Sequence, residues 1–593
     1  SGNFFSTTSP FVNSAGGDYS LGIFSGAVGN GIASAHYDGN TLLAPTKDIN
    51  DVDRPNPSGS SPDMGALESS YAEKLNIINV STAGSDSNIG TEESPLLTIQ
   101  RALDIASSGD TVLLAQGTYS ENVSLLRGLS VTIGSRYLTT KDTSYISATV
   151  INGNNQGPTI HIDTWDKDKA SMYLSGVTVT GGNFDEDVYV PCSPCFAAGA
   201  IFAFDLDTLF VDHVTIKNNT GHEGTGGGIR VTGNSQTNRL VKITNSNIYN
   251  NTSYYGQPVY INHTTKIEIS NTIISNNNTQ TTSAGLSFDG SDTAIVVNTT
   301  IANNKNVSDL YAMGLDINMS SALDSVLIMN SIISQNKGYS SSADSFFTYY
   351  EQISINNGRT VFLNNYTSES FSDNSKIKRS SGNVFTSADP FVNIDQNNYA
   401  LRSGSSAIGK GTVSDTYYGS TIMAPSTDIF GNSRPTPNGT NPDIGAIENN
   451  RSIRDNVSFS VKQDGTGDYQ IIQSAINNSD IMDGDTVLVY PGTYTENFYI
   501  SGKNVVLTSF SGPFETHIVP NQPSTHTLTL SNTNSEITGF SFSGSSYDAA
   551  SVDASGGAPR IANCRFYDNQ SNNSIKFHGA NAILENILFY NYI

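Results

Sequence analysis

Short runs of alternating apolar and polar residues recur along the chain, and a fixed polar phrase follows many of them. The phrase is Asn-x-x-Ile-x-x-Asn, and one variant begins with Asp and has one more residue before the Ile. The copies lie 26 to 33 residues apart. Copies begin at Asp212, Asn245, Asn271, Asn298 and Asn330, and Asn563 and Asn586 repeat the position 23 residues apart. Two or three short strands per unit, joined by Asn and Gly turns, predict one coil of a parallel β-helix.

The physical chemistry of the phrase supports this fold class. Asparagine tolerates the left-handed backbone conformation and can bond its own main chain, so stacked coils place it at one shared corner. A leucine-rich solenoid would show Leu at fixed short spacing, which is absent here. A β-sandwich would not hold the Asn corner at coil spacing. The sequence therefore predicts an all-β solenoid of parallel coils.

A longer repeat divides the chain into modules. The segment Asp443–Glu448 repeats Asp63–Glu68 from 380 positions earlier, and the match extends upstream in register. A second phrase, at 99–122, recurs at 472–497. We therefore predict a closing segment at 1–70, a complete module at 76–450 and the opening of a further module at 456–593. In the opening phrase, Thr98–Ser107 has helical apolar spacing and predicts a short helix that caps the exposed end of the stack.

Composition and charge narrow the function. Among 593 residues, charged side chains make up 14% and the net charge is −24, which argues against a nucleic-acid partner. No apolar run is long enough to span a membrane, and any secretion signal is expected outside this sequence. Three cysteines occur, and Cys192 and Cys195 form a single CxxC pair. A small loop disulfide or two free thiols are expected there rather than a zinc site.

Candidates for catalysis are carboxylates near one short strand. Asp205 and Asp207 alternate with apolar residues, so both would face outward, with Asp212, Lys217 and Arg230 within a coil or two. Outward carboxylates that hold Ca²⁺ beside a basic group would suit a polysaccharide lyase. Two outward aspartates are more often a solvated face, so no catalytic residue is assigned.

Two further sets of charged residues have structural or ionic interpretations. The acidic run Asp185, Glu186 and Asp187 could hold Ca²⁺, although its spacing is not that of an EF-hand. An arginine and three carboxylates recur in both closing segments. We predict that they hold an irregular loop together rather than perform chemistry. They are Asp48, Arg54, Asp63 and Glu68 in the first copy, and Asp428, Arg434, Asp443 and Glu448 in the second.

Beyond these patterns, the opening and coil phrases resemble the right-handed parallel β-helix proteins of the pectin-lyase-like superfamily. The segments Asp389–Asn393, Tyr399–Leu401, Ser405–Gly411 and Asp443–Glu448 are similar to the close of large bacterial surface β-helix proteins of the choice-of-anchor and polymorphic outer-membrane types. Ala198–Ile201 and Gly226–Ile229 resemble the Gly-Gly-Ala-Ile element of the latter. The resemblance implies a right-handed winding but no single activity, because this superfamily holds lyases, hydrolases and adhesins.

These observations favour an extracellular or cell-surface protein with a structural or adhesive role. The sequence stops inside a coil and begins just before a closing segment. We therefore expect either one part of a giant tandem surface protein or a subunit whose last β-helix is completed by its neighbour. Self-association would then be head-to-tail, giving a rod or filament. The alternatives are a polysaccharide lyase or hydrolase acting on acidic glycans, and a carbohydrate-binding surface protein without turnover. The sequence does not decide whether the protein is an enzyme, and a non-catalytic role is favoured.

Overall fold

The computed structural model describes residues 9–590, except 127, 165–169, 185–197, 222–225, 234–238, 255, 281–284, 308–313, 322–323, 341–344, 349–351, 369–374, 479–480 and 571–572. The chain forms two compact units. The larger unit comprises the residues up to Phe385 with Phe391–Leu401 and Ala407–Ser452, and the smaller comprises Thr386–Pro390, Arg402–Ser406 and the residues from Ile453 onward. The module borders inferred from the repeats stay a prediction.

Three long sheets of parallel strands build the larger unit, and the chain passes through sheets 1, 2 and 3 in turn. Sheet 1 contains Ile77–Val80, Thr111–Leu114, Val131–Ser135, Ser171–Ser175, Thr208–Asp212, Leu240–Thr244, Lys266–Ser270, Thr293–Val297, Ser325–Met329, Arg359–Leu363 and Ile377–Ser381. Sheet 2 contains Gly117–Ser120, Thr149–Asn152, Thr178–Thr180, Thr215–Lys217, Asn247–Tyr249, Ile273–Ser275, Thr300–Ala302, Ile332–Ser334, Tyr366–Thr367 and Val384–Phe385. Sheet 3 contains Val123–Leu125, Ile160–Asp163, Ile201–Phe204, Ile229–Thr232, Val259–Asn262, Leu286–Asp289, Leu315–Asn318 and Ile353–Asn357.

A short fourth sheet lies between sheets 2 and 3 along each coil. It contains Asn183–Phe184, Thr220–Gly221, Thr252–Ser253, Asn278–Thr279, Lys305–Asn306, Lys337–Ser340 and Ser345–Thr348, the last two of which pair antiparallel. Because each strand pairs with its counterpart one coil away, the coils stack as a parallel β-helix. The predicted fold class is therefore confirmed.

The smaller unit repeats this arrangement. Its first sheet contains Ser458–Val461, Thr486–Val489, Val506–Ser509, Glu536–Thr538, Arg560–Ala562 and Ile583–Glu585. Its second contains Gly492–Thr495, Thr516–Val519, Ser541–Phe542, Arg565–Tyr567 and Leu588–Tyr590, and its third contains Phe498–Ser501, Leu528–Ser531, Val552–Ser555 and Ile575–His578. All of these pairings are parallel.

Alternate side chains along each strand fill the interior of the coil. In sheet 3, Ile229, Val259, Leu286 and Leu315 stand in register on neighbouring strands and are all fully buried. Each such aliphatic side chain contributes about 1.5–3 kcal/mol when it leaves water. The alternation of apolar and polar residues in the sequence therefore determines which side chains point into the coil. The parallel register places equivalent side chains of neighbouring coils above one another.

Asparagine forms the corners of the coils, as predicted. Residues in the left-handed region, with φ between 48° and 56°, include Asn245, Asn271, Asn298, Asn330 and Asn364 after sheet 1, and Asn218, Asn250, Asn276 and Asn303 after sheet 2.

A third asparagine in each coil forms a buried ladder that the sequence did not predict. Its members are Asn219, Asn251, Asn277, Asn304 and Asn336. From Asn251 onward, each side-chain oxygen accepts hydrogen bonds from the main-chain N–H and the side-chain amide of the asparagine one coil before, whereas Asn219 Oδ1 accepts from the Gly182 N–H.

A short helix covers the start of each stack. The predicted Thr98–Ser107 helix is found as Ile99–Ile105, with the Thr98 side chain accepting a hydrogen bond from the Arg101 N–H. Its copy is Ile472–Asn477. The Glu121 carboxylate accepts hydrogen bonds from the N–H groups of Ile99 and Gln100, at 2.8 and 3.0 Å. Two more short helices, Tyr137–Thr140 and Ser144–Ala148, join sheets 1 and 2 of one coil.

The closing segments consist of hairpins and irregular loops. The first contains the hairpins Phe11–Asn13 with Asp18–Leu21 and Ser34–Tyr37 with Asn40–Leu43, and a 3₁₀ turn at Ser14–Gly16. The second contains Phe391–Asn393 with Asn398–Leu401, Ser414–Tyr417 with Ser420–Met423, and a 3₁₀ turn at Ile394–Gln396. In the part of the chain that the structure describes, no helix has the length and apolar character needed to cross a membrane.

The second closing segment does not cover the end of the stack. It lies along the side of the coils, where outward side chains of sheet 2 pack against it. The corner residues Asn271, Asn330 and Asn364 donate side-chain hydrogen bonds of 2.7 Å to the carbonyls of Thr427, Thr412 and Lys410, respectively. The asparagines that form the corners of the coils thus also bind the closing segment that covers the side of the coils.

Candidate functional site

The outward side chains of sheet 3 form a continuous band of polar and aromatic groups, which we call the outer stripe. Parallel register places one member of its main column on each successive coil. This column is His161, Phe202, Arg230, Tyr260, Ser287, Asp316 and Ser354, and a second column beside it is Asp163, Phe204, Thr232, Asn262, Asp289 and Asn318. Neighbouring members are about 4.8 Å apart along the axis because that is the spacing of paired strands.

The main column of the outer stripe is buried at its first three positions, and beyond them accessibility varies from position to position. His161, Phe202, Arg230 and Ser287 are buried, whereas Tyr260, Asp289 and Asp316 are half-buried and Asn318 is exposed. The His161 and Phe202 rings stack with centroids 5.4 Å apart. A ligand in solution would therefore meet the Tyr260-to-Asn318 part of the stripe first.

Tyr260 and Asp289 form the centre of the accessible part. The Tyr260 hydroxyl donates a hydrogen bond of 2.8 Å to Asp289 Oδ2, and Asn318 Nδ2 donates one of 2.7 Å to Asp289 Oδ1. The Arg230 guanidinium lies over the Tyr260 ring, 5.3 Å from its centroid. Burial lowers the pKa of Arg230 to about 10, while burial and the hydrogen bond to Asp289 raise that of Tyr260 to about 12. Both groups are therefore held in fixed positions and fixed protonation states near neutral pH.

Asp316 is the second carboxyl group of this region. Its Oδ1 accepts a hydrogen bond of 3.2 Å from Asn356 Nδ2, and its Oδ2 faces the Ser287 hydroxyl at 3.5 Å. Burial raises the pKa of Asp316, and the nearby charge of Asp289 raises it further. The stripe thus contains two carboxyl groups on neighbouring coils in unlike environments.

His161 lies at the buried end of the stripe. Its ring is more than nine-tenths buried, and among the described residues its Nε2 has no hydrogen-bond partner. Burial lowers the pKa of His161, so the neutral imidazole is favoured. A polar atom of this kind offers a ligand one further hydrogen bond.

The carboxylates singled out from the sequence do not gather in one cleft. The strand that was expected to run from 202 to 207 ends at Phe204, because Asp205 takes the left-handed conformation with φ of 62°. Phe204 therefore points outward. The Asp205 carboxylate pairs with Arg239 at that corner, and Asp207 lies just before the next strand of sheet 1.

Asp212 lies at the far end of that same strand, roughly 13 Å from its first residue, Thr208, at the usual rise per residue. Its carboxylate accepts hydrogen bonds from Thr244 Oγ1 and Asn245 Nδ2, at 2.7 and 2.9 Å. Burial opposes ionisation, but hydrogen bonds from His213, Thr244 and Asn245 outweigh it and lower the pKa of Asp212. This pattern is that of a corner support, whereas Arg230 belongs to the outer stripe.

The proposed calcium ligands Asp185, Glu186 and Asp187 and the CxxC residues Cys192 and Cys195 lie outside the described residues. Within the described ranges, no group of three or more His, Cys, Asp or Glu side chains is arranged to hold a metal ion. Calcium binding and the state of these cysteines stay predictions.

The outer stripe was not predicted from the sequence, although the sequences of its strands share a pattern that indicates it. The strands Ile160–Asp163, Ile229–Thr232, Val259–Asn262, Leu286–Asp289 and Leu315–Asn318 share the pattern apolar, variable, apolar, polar. Aligning them coil by coil would have placed Arg230, Tyr260 and Asp316 in one column. The Asn phrase lies at the strands of sheets 1 and 2 only, so it does not indicate where the strands of sheet 3 are.

The four repeated residues of each closing segment come together in the structure. In the second copy, Arg434 Nε lies 2.9 Å from Glu448 Oε2, and Arg434 also donates hydrogen bonds to the Gly445 carbonyl and Asn271 Oδ1. Asp428 Oδ2 accepts a hydrogen bond from the Glu448 N–H. The first copy repeats this geometry with Arg54 Nε 2.8 Å from Glu68 Oε2, and with Asp48 accepting from the Glu68 N–H. Their structural role stays a prediction, and the burial of the Arg434 and Glu448 side chains fits it.

Asp443 makes this network sensitive to pH. Burial and the nearby Glu448 charge raise the pKa of Asp443 to about 7, whereas the unfolded chain has the ordinary value of 3.8. The folded state therefore binds the proton more tightly. The stability that protonation of Asp443 contributes to the folded state is complete below about pH 4 and is lost as the pH rises through about 7.

We expect thermal unfolding of the second closing segment to move to lower temperature between pH 5 and pH 8. Hydrogen exchange of residues 391–447 at a series of pH values would measure the change. Asp443→Asn should flatten this dependence. Asp63→Asn, which replaces the equivalent carboxylate in the first copy, should leave the dependence of residues 391–447 unaltered, and an equal flattening would contradict the assignment.

Comparison with protein families gives one match. A family described as "Protein of unknown function (DUF1565)" matches residues 82–125, which contain the cap helix and the first strands of the coil. No curated protein matches the chain.

Several solved structures are similar to the chain at low identity. They include pectate lyase Pel9A, at 15% identity, with 63% of this chain and 96% of that chain covered and a TM-score of 0.30. The alginate lyase AlyGC of family PL6 has 12% identity, coverage of 83% and 79%, and a TM-score of 0.19. The pectin methylesterase from Aspergillus niger has 15% identity, coverage of 53% and 92%, and a TM-score of 0.21. The fold assignment rests on the strand pairing described above, and these scores carry no argument about activity.

Proposed function

We propose that this protein is an extracellular structural β-helix protein with an adhesive role, which binds glycans along the outer stripe without turning them over. The observation that supports the proposal is the Tyr260–Asp289–Asn318 network. It presents a phenol, a carboxylate and an amide in fixed positions on successive coils. Sugars are recognised by such convergent polar groups beside aromatic or apolar surface.

A polymeric glycan suits the stripe better than a compact ligand. The repeat of the coils offers hydrogen-bonding groups at regular intervals along one axis, so an extended chain could contact several coils at once. Asp289 and Asp316 lie two and three coils from the buried Arg230. The net charge of −24 also disfavours nucleic acid.

A hydrolase or lyase acting on acidic glycans is the second candidate, and Asp316 is the observation that favours it. A carboxyl group with a raised pKa can donate a proton to a leaving group while a neighbouring carboxylate stays ionised. Asp289 would be that neighbour. Both of its oxygens already accept hydrogen bonds from Tyr260 and Asn318, which favours a binding role over a base or nucleophile.

Glycan binding is tested with the full chain and two sets of oligosaccharides, one of uronic acids and one of neutral xylose units. We expect titration calorimetry to detect binding of at least one set, and Tyr260→Ala to weaken it about tenfold through loss of ring contact and of the Asp289 hydrogen bond. Tyr173→Ala, at an outward aromatic on sheet 1, is the matched control and should bind normally.

Two results would overturn the proposal. Failure of the wild-type chain to bind either set would remove the adhesive role. Release of unsaturated or reducing sugars, abolished by Asp316→Asn, would instead support the enzyme. The head-to-tail association predicted from the sequence also belongs to the proposal, and the exposed surface of the first closing segment is what supports it.

A further inference from the structure

The two closing segments have the same fold but different surroundings. Equivalent apolar side chains are exposed in the first copy and buried in the second. Exposed fractions are 37% for Phe11 against 3% for Phe391, 55% for Tyr19 against 5% for Tyr399, 73% for Tyr37 against 6% for Tyr417, and 76% for Ile49 against 5% for Ile429. The first copy therefore has apolar residues at these four positions, although the described structure leaves them exposed to solvent.

The second copy shows what this face is built to contact. Phe391, Tyr399 and Ile429 belong to one buried cluster with the outward side chains of four successive strands of sheet 2, which are Ile273, Ala302, Ile332 and Tyr366. Tyr417 packs against outward residues of sheet 1, which are Val297, Leu327, Met329, Val361 and Leu363.

Hydrogen bonds align the same contact. The corner asparagines of the coils donate to main-chain carbonyls of the segment, and Asn298 Nδ2 reaches the carbonyls of Asp443 and Gly445, both at 3.2 Å. Arg434 donates in the opposite direction, to Asn271 Oδ1 at 2.8 Å. Apolar packing and corner asparagines together therefore define the complementary surface.

In the first copy, the corresponding face borders an open groove. The groove has a volume of about 1230 Å³ and is lined on one side by Phe11, Tyr19 and Met64. Ile89 and Ile105 of the cap region line the other side. The equivalents of Phe11, Tyr19 and Met64 in the second copy are Phe391, Tyr399 and Ile444, which contact the coils. The groove thus corresponds to the place that a β-helix flank takes in the second copy.

We infer that the first closing segment is a docking surface for the flank of another β-helix module. The partner has stacked coils with aliphatic side chains pointing outward from sheets 1 and 2 and with asparagine at the corner between them. This inference rests on the module association within the proposed function and names its partner surface. It does not depend on glycan binding.

Among the residues that the structure describes, the two corresponding flanks do not meet that requirement. The matching flank of the larger unit, from Lys266 to Thr367, is already covered by its own second closing segment. The equivalent outward positions of the smaller unit include Glu536, Arg560 and Glu585, which form ion pairs with one another. A partner with an uncovered apolar flank is therefore required.

An exchange within the full chain tests whether the first segment can dock on such a flank. The sequence of residues 9–67 replaces residues 389–447, which have the same length. We expect hydrogen exchange of residues 293–367 to stay within about threefold of the wild type. The same exchange carrying aspartate at the positions derived from Tyr19 and Ile49 is the control and should lose that protection. Loss of protection in both exchanges would overturn the inference.

A second experiment does not depend on the folding of the exchanged chain. A full-chain acceptor carries Tyr399→Asp and Ile429→Asp, which detach its second closing segment from the flank of the coils. This acceptor is mixed with isotope-labelled wild type. We expect exchange in residues 11–49 of the labelled chain to slow at least threefold more with this acceptor than with unlabelled wild type, whose own flank is covered. Equal exchange with the two partners would overturn the inference. Glycan binding, measured separately on the same samples, would distinguish failure here from failure of the adhesive role.

Discussion

Replacing Asn277 by alanine will destabilise the β-helix more than any exposed substitution, by about 2–6 kcal/mol. Asn277 Oδ1 accepts from the main-chain N–H and the side-chain amide of Asn251, both at 3.0 Å, and Asn277 Nδ2 donates to the Ile248 carbonyl at 3.0 Å. The alanine removes these partners from the buried Asn251 N–H and Ile248 carbonyl, and each such group costs about 1–3 kcal/mol. The Asn251 side-chain amide keeps its hydrogen bond to the Ile216 carbonyl. Coils contact only their neighbours, so the loss should begin locally.

Denaturant unfolding with hydrogen exchange of residues 247–306 measures this effect. Asn250→Gly is the matched control, because Asn250 is the corner asparagine of the coil before, is exposed, and has a φ of 55° that glycine adopts without strain. We expect that control to cost well under about 1 kcal/mol. Similar losses for the two variants would show that the ladder contributes no more than the corner.

Replacing Arg434 by alanine will detach the second closing segment from the flank of the coils. The Arg434 and Glu448 side chains are 0% and 1% exposed, and no water can replace the lost partner. Removing one member of a buried pair leaves the other charge uncompensated and costs about 3–5 kcal/mol. The Asn271 contact is lost at the same time, so the face that covers sheet 2 should open.

Hydrogen exchange of residues 391–447, together with dye binding by the uncovered apolar flank, reports the detachment. Arg54→Ala is the matched control, since Arg54 makes the same bonds to Glu68 and Gly65 in the first copy. It should loosen residues 9–70 without exposing the coils. Unchanged exchange in 391–447 after Arg434→Ala would mean that apolar packing alone holds the segment.

Much of the fold could be predicted because its signals are local. Alternation of apolar residues selects which side chains enter the coil, and asparagine at a fixed spacing sets the corners. The cap helix at Ile99–Ile105 followed from helical spacing within ten residues. The gathering of Arg434, Asp428, Asp443 and Glu448 could be anticipated because the same set recurs in a duplicated segment.

The ladder is a partial success of the same kind. The sequence showed the Asn pairs at the end of each phrase, as in Asn276 and Asn277. It did not show that the first turns the chain while the second points inward and bonds to the next coil. That distinction depends on a left-handed φ at one residue and extended backbone at the next, which residue type alone does not specify.

The sequence by itself determined the coil repeat, the corners, the cap and the duplication, because each depends on residues a few positions apart. Tertiary structure alone decided which outward side chains become neighbours, since insertions of unequal length separate the strands of sheet 3 and hide the column that joins Tyr260 to Asp316. It also decided that a closing segment covers a flank rather than an end. Asn271 and Thr427 are 156 positions apart, and only the stacking of whole coils brings them within a hydrogen bond.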